Sequence, residues 1–297
     1  MKKQLFTILL LFGGMLMSFA AQRIEVTELR LVREAGSESF YPRFTPDGKT
    51  ILLTSEGYAG LRTLDLATGR VQVLTTADGV GVDFAISDDS RTVIVEKTDF
   101  SREPFGVRNP YSIDLTTQQM QRVISPVVAV EETRPLMLMR SRAAIKSPVI
   151  VYVNQDLKLT VDRNGQKTIL TPNGADEDYI WASLSPDGTK IVYFVMSLGN
   201  TFVSDLNGNI LVNLGSNFHA PQWINNDWIV GMDDKDNGRV FTESNIVAVT
   251  ANGEIRQNLT QPGGKIELFP VVSPSGNQIA FHTTEGELYI MEISVQR

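Results

Sequence analysis

YPRFTPDGKTILLTSEGYAGLRTLDLATGRVQVLT, residues Tyr41 to Thr75, is the stretch on which the rest of the chain is built. Its first turn is Thr45-Pro46-Asp47-Gly48. There Pro presets φ, Asp bonds back to the backbone and Gly supplies the left-handed residue, so the turn joins two strands as a hairpin. The apolar run Thr50 to Thr54 reads as a buried strand, Ser55 to Gly60 as a loop, and Leu61 to Leu66 as a third strand. Ala67 to Arg70 then turns the chain into a fourth strand, Val71 to Leu74.

Variants of this unit continue to the C-terminus. The turn returns as Ser87-Asp88-Asp89-Ser90, Ser185-Pro186-Asp187-Gly188, Ile224-Asn225-Asn226-Asp227 and Ser273-Pro274-Ser275-Gly276. A third copy is degenerate: it runs Thr133-Arg134-Pro135-Leu136-Met137 and reaches its second strand, Val149 to Val153, only after an insertion around Arg140 to Lys146. Its tail, Asp156 to Leu170, again matches Leu61 to Leu74. Self-similarity at tens of residues signals a repeat architecture. Six four-stranded antiparallel units arranged radially make an all-β, six-bladed β-propeller.

The unit Pro-x-Phe/Trp/Leu-Ser/Thr-Pro-Asp-Gly-Lys-x-Ile, followed by x-Leu/Val-Asp-Leu-x-x-Gly and a closing Leu-Thr, resembles the TolB-type propeller repeat of bacterial envelope proteins. The resemblance spans the chain after its first residues, and the first, fourth and sixth units carry nearly the full pattern. It implies a propeller fold, a place in the Gram-negative envelope, and a partner that is an envelope protein or lipoprotein. Similar blades also serve as lids on prolyl oligopeptidase-like enzymes and in polysaccharide lyases, so the fold alone does not name an activity.

Lys2 and Lys3, the apolar run Leu5 to Met17 and the small-x-small site Ser18-Phe19-Ala20 read as a secretory signal over residues 1–20. The mature chain is expected to start at Ala21 and to form a single domain to residue 297, periplasmic or secreted and without a membrane span. Without Lys2 and Lys3 the chain has 25 basic and 34 acidic side chains, a net charge of −9. Such a chain, lacking a basic block, does not suit nucleic acid or an anionic membrane surface. The absence of Cys excludes disulfides, thiolate metal sites, a Cys nucleophile and lipoprotein processing.

Arg23 to Arg33 (RIEVTELRLVR) alternates apolar and polar residues, as a half-buried strand does. Aligned with the repeat, it is a fourth strand that precedes the first blade. The last copy, Phe269 to Ile293, supplies only three strands, so the segment around Glu28 to Val32 is expected to pair with Glu287 to Ile293 and close the ring. The second unit carries a long connection, Thr98 to Pro110, and Arg134, Arg140, Arg142 and Lys146 form the one basic concentration, read as a solvated face.

Catalytic machinery is not recognisable. There is no Gly-x-Ser-x-Gly elbow, His-Glu-x-x-His motif or Gly-rich phosphate loop, and no catalytic residues, metal ligands or cofactor are assigned. Asp233 to Gly238 (DDKDNG) has the outline of a calcium loop, but Lys235 and Ser244 fall where ligands are needed, and an acidic hairpin loop is expected instead. Of the two histidines, His282 falls in a second strand as a satisfied packing or edge residue, and His219, in an inter-blade loop before Pro221, is the better candidate for a site. The abundant carboxylates leave a glycan hydrolase or lyase as the alternative to a binding protein.

Strand order predicts where a site would be. If the first strand of each blade lines the channel, the two-to-three and four-to-one connections share one face, which receives the longer loops, and the tight turns occupy the other. Function collects on long loops held by a rigid scaffold. The residues preceding each first strand then ring the channel mouth, and Tyr41, Asp83, Arg134, Trp181, His219 and Phe269 are the candidate binding residues. The aromatic ones either wedge the blades or contact a partner. A monomer that binds an envelope protein through this mouth is the expected function.

Overall fold

A computed structural model describes residues 22–36, 38–81, 84–99, 107–123 and 149–296. A first strand, β1 (Arg23–Leu31), leads into blade one: β2 (Phe40–Phe44), β3 (Thr50–Thr54), β4 (Leu61–Asp65) and β5 (Val71–Thr75). Blade two is β6 (Phe84–Ile86), β7 (Thr92–Asp99), β8 (Val107–Asp114) and β9 (Met120–Arg122). Blade three shows β10 (Val149–Val153), β11 (Leu159–Arg163) and β12 (Gln166–Leu170) among the described residues. Blade four comprises β13 (Tyr179–Leu184), β14 (Lys190–Val195), β15 (Asn200–Asp205) and β16 (Ile210–Gly215). Blade five is built from β17 (His219–Trp223), β18 (Trp228–Asp236), β19 (Phe241–Thr250) and β20 (Arg256–Asn258). The last blade has β21 (Glu267–Val272), β22 (Gln278–Thr283) and β23 (Leu288–Gln296), with β1 on its outer edge. Every sheet is antiparallel, five of the six run in chain order and the last takes β1 beside β23, which makes a six-bladed β-propeller.

The same local chemistry folds each blade. In the first turn, Thr45, Ser87 or Ser185 donates its hydroxyl to Asp47, Asp89 or Asp187. The same oxygen accepts the backbone N–H of Thr50, Thr92 or Lys190, the second residue past the turn. Two such turns also staple neighbouring blades: Asp47 N–H donates to Ser90 Oγ, and Asp187 N–H to Asn226 Oδ1, each at 3.0 Å. Between the third and fourth strands, Asp65, Asp114 and Asp205 each accept two backbone N–H groups of the turn that follows. A hydrogen bond made within the turn contributes about 0.5–1.5 kcal/mol, so this repeated pairing favours the points where strands begin and end.

Packing lies between blades. One apolar cluster joins blades one and two through Leu52, Phe84 and Val93, another joins three and four through Val161, Tyr179 and Tyr193, and a third joins four and five through Val192, Trp223 and Ile229. Trp223 Nε1 also donates to Ser183 O across that junction. Ile24 of β1 packs with Trp228, Phe281 and Met291 between blades five and six. The closure is longer than the pattern predicts: Arg23 opposes Gln296 and Leu31 opposes Tyr289, and Val32 N–H adds a bond to Leu288 O.

Two sequence expectations are corrected here. Asp233 to Asp236 are not loop but the end of β18, because β18 and β19 continue past the blade as a hairpin with Lys235 bridged to Glu243. Thr98 and Val107 to Pro110 belong to β7 and β8, so the connection of blade two is shorter than read, and residues 100–106 lie outside the described residues. The signal segment and the basic concentration at Arg134 to Lys146 also lie outside them. No helix among the described residues is long and apolar enough to cross a membrane.

Candidate functional site

The first strands of blades four, five, six and one touch one another in sequence, as the innermost strands of a radial array do. Each carries the same irregularity near its start. Phe40 opposes Thr54 while Arg43 opposes Leu52, so β2 has one residue more than its partner; the same holds between Ile180 and Ser183, His219 and Gln222, and Leu268 and Val271. This is a β-bulge repeated in four blades. The residue that enters it is left-handed every time: Tyr41 (φ 50°), Trp181 (φ 54°), Ala220 (φ 47°) and Phe269 (φ 51°).

For bulky side chains this backbone is an outlier that costs about 1–3 kcal/mol and persists only where the surroundings enforce it. Tyr41, Ala220 and Phe269 also precede Pro42, Pro221 and Pro270, a position ordinarily driven toward extended φ. The bulge turns these side chains out of the strand alternation at the end where the four-to-one connection arrives. The aromatic candidates therefore lie within the first strands and not before them, and His219 is the first residue of β17 and not part of a loop.

Between blades six and one, Tyr41, Phe269 and Phe40 surround His282. Their ring centroids lie 5.0, 5.8 and 5.2 Å from the imidazole, and Tyr41 is also 5.4 Å from Phe269. Tyr58, from the loop of blade one, stacks on Tyr41 at 4.2 Å. Burial pushes the Tyr41 phenol well above its usual range, and the hydrogen bond to Tyr58 adds to the shift. His282 is 2% exposed, and its Nδ1 lies 3.0 Å from Thr283 O. A carbonyl only accepts, so Nδ1 carries the proton and Nε2 presents a lone pair. That Nε2 is buried and unpartnered, which corrects the expectation of a satisfied packing histidine. Burial holds the imidazole pKa down to about 4.

Between blades four and five the arrangement differs. His219 Nδ1 meets Asp234 Oδ1 at 2.6 Å, with the aspartate side chain 3% exposed and the histidine 19%. Phe194 touches the imidazole edge-on at 4.7 Å, and Trp181 lies 5.7 Å away. A carboxylate in this position fixes the ring and its tautomer. Gly231 makes the approach possible, since a Cβ there would sit 2.7 Å from Phe218 Cε2 and 2.8 Å from His219 O. Further along the hairpin, Ser244 donates to Glu267 O and Thr260 to the Glu267 carboxylate, whose pKa burial raises. Ala220, Met232 and Leu268 join the two aromatic groups, with Trp181 and Phe269 packed on either side.

Thus the structure brings together Tyr41 and Phe269, and separately Trp181 and His219; Asp83 and Arg134 lie outside the described residues. Sequence reasoning missed Asp234, Phe194 and Tyr58. Asp234 was obscured by an acidic run that reads as solvated, whereas its separation from His219 across one hairpin was the signal that could have revealed it. Among the described residues no cluster of three or more His, Asp or Glu is arranged to hold a metal ion.

No protein-family model matches the chain, and no curated protein does. Among solved structures it is similar to a protein of Agrobacterium tumefaciens assigned to TolB, with 17% identity and a TM-score of 0.54 over 93% of this chain and 99% of that one. It is also similar to a chain of a mitotic checkpoint complex, at 10% identity and a TM-score of 0.50 over 90% and 94% of the two chains. An oligogalacturonate lyase of Vibrio parahaemolyticus shares 11% identity, with a TM-score of 0.47 over 84% and 76%. At such identities the likeness is one of fold, a six-bladed β-propeller shared with the protein assigned to TolB.

Proposed function

We propose that this TolB-like propeller is a binding or scaffold protein of the Gram-negative cell envelope, exported to the periplasm or beyond, which takes a protein partner at its channel mouth. The partner is an envelope protein or lipoprotein, and the propeller acts as a monomer. One observation carries the reading: three large aromatic residues are held at the mouth in a backbone conformation that their side chains disfavour. Strain of this kind clusters at ligand clamps, and aromatic anchors dominate the energetics of interfaces. Exposed Met196 and Leu198, between β14 and β15, and Val240, between β18 and β19, extend apolar surface onto the same face.

The test is capture from envelope extract by the mature chain and by a Trp181→Ala/Phe269→Ala variant. A stoichiometric partner retained by the first and lost by the second supports the reading. Equal capture by both, with the variant folded, makes the aromatics blade packing and removes the support for this face.

A second reading, an enzyme acting on glycans from the same mouth, is favoured by the His219–Asp234 pair, because an imidazole oriented by a buried carboxylate is suited to proton transfer. Turnover of a glycan that His219→Gln abolishes would establish it.

A further inference from the structure

The group around His282 is built like a receptor for a particular charge. Tyr41, Phe40 and Phe269 present rings to one small region, with Tyr58 stacked behind Tyr41. In their midst is a lone pair, His282 Nε2, that no protein atom satisfies. Both facts select the same ligand chemistry. Aromatic faces are negative and attract cations, and an imidazole nitrogen without a proton accepts a hydrogen bond. An anion would meet the Nε2 lone pair, and an aliphatic group would leave Nε2 unpaired in a buried site.

We propose that this cage between blades six and one binds a primary ammonium group, the side chain of a lysine that the partner inserts into the mouth. The inference rests on reading the mouth as a protein-docking site. One ammonium N–H would point to His282 Nε2, and the rings of Tyr41 and Phe269 would hold the charge. The imidazole does not compete with the cation, since burial keeps it neutral at physiological pH. The field is favourable as well: Glu56 acts on Tyr41, Glu267 opposes Thr283 next to His282, and the chain is net negative. Lys265 is bridged to Glu287. The rings cover Nε2 in the free protein, and entry requires Tyr41 or Phe269 to turn aside and close again over the bound ammonium.

The chain has two histidines, so the ¹⁵N spectrum of its imidazoles contains two spin systems, which His282→Phe assigns. Nα-acetyl-lysine methylamide, titrated into the folded protein, is expected to move His282 Nε2 to saturation and leave His219 in place. The norleucine analogue, which lacks the ammonium, should have no effect, and Tyr41→Leu should weaken the lysine response by about twofold to thirtyfold. A silent His282, an equal response to norleucine, or an ordered water on Nε2 that persists with the lysine probe present overturns the proposal. A simple diamine that binds as well as the lysine probe overturns the docking of a partner's lysine in favour of a free-amine site. No partner enters this experiment, so its failure leaves the protein-docking reading standing, whereas failed partner capture with the titration intact would sink that reading and the partner's lysine with it, and leave an ammonium site.

Discussion

His282 couples the mouth to the stability of the fold. Its folded-state pKa of about 4 lies below the ordinary 6.5, so between those values the unfolded chain takes up a proton that the folded chain refuses. The contribution is complete above about pH 6.5, is lost as pH falls through the window, and levels off below about pH 4, a total of about 3 kcal/mol. Urea unfolding of wild type and His282→Phe across this range should show the wild type losing more stability than the variant, which isolates the histidine from the carboxylates that titrate nearby. Parallel curves would mean that His282 protonates in place. Trp181→Ala with Phe269→Ala addresses the neighbouring anchors: partner affinity should fall by more than about 2 kcal/mol, whereas Asp187→Ala on the opposite face should leave it unchanged. Binding and melting temperature must be measured on the same proteins, because a wedge residue would lower only the second.

At the scale of the strand, β17 and β18 must come together closely for His219 to reach Asp234. Gly231→Ala places a methyl against Phe218 and the His219 carbonyl, and is expected to destabilise the protein by about 1–3 kcal/mol. The imidazole resonance of His219 should shift with it; a variant with unaltered stability and spectrum would show that the strands have slack. The bulge that displays Tyr41, Trp181 and Phe269 was not legible in the sequence, since it depends on the register between two strands and leaves no mark such as glycine. Turns were legible because their signal is local: Thr45, Pro46, Asp47 and Gly48 satisfy one another within a few residues. Asp234 was hidden for the opposite reason, as composition around Asp233 to Gly238 speaks for solvent while the extended hairpin shelters one carboxylate of the run.

For the whole molecule, the ring depends on a pairing between the two ends of the chain. The closure was readable because the repeat left three strands at one end and one at the other. Deleting Arg23 to Leu31 removes Ile24 from the cluster between blades five and six and bares the edge of β23. The loss should be several kcal/mol, roughly 25 cal/mol for each Å² of apolar surface uncovered, and the open edge should promote self-association. Calorimetry and light scattering would show both, and an unchanged melting temperature with a monodisperse monomer would refute the role of β1.

The same pairing fixes the protein's orientation when it is held by an end. Arg23 opposes Gln296, so the first residue of β1 and the last of β23 lie side by side at one edge of the propeller. Gln22 shares a groove with Asn226, Asp227 and Asn252, residues of the tight turns. Anchored through either end, to a sensor chip or to a fused carrier, the propeller stands with its tight turns toward the support and its aromatic mouth toward the solution. Immobilisation by a terminal tag is therefore the arrangement in which a partner can be weighed without the surface in its way.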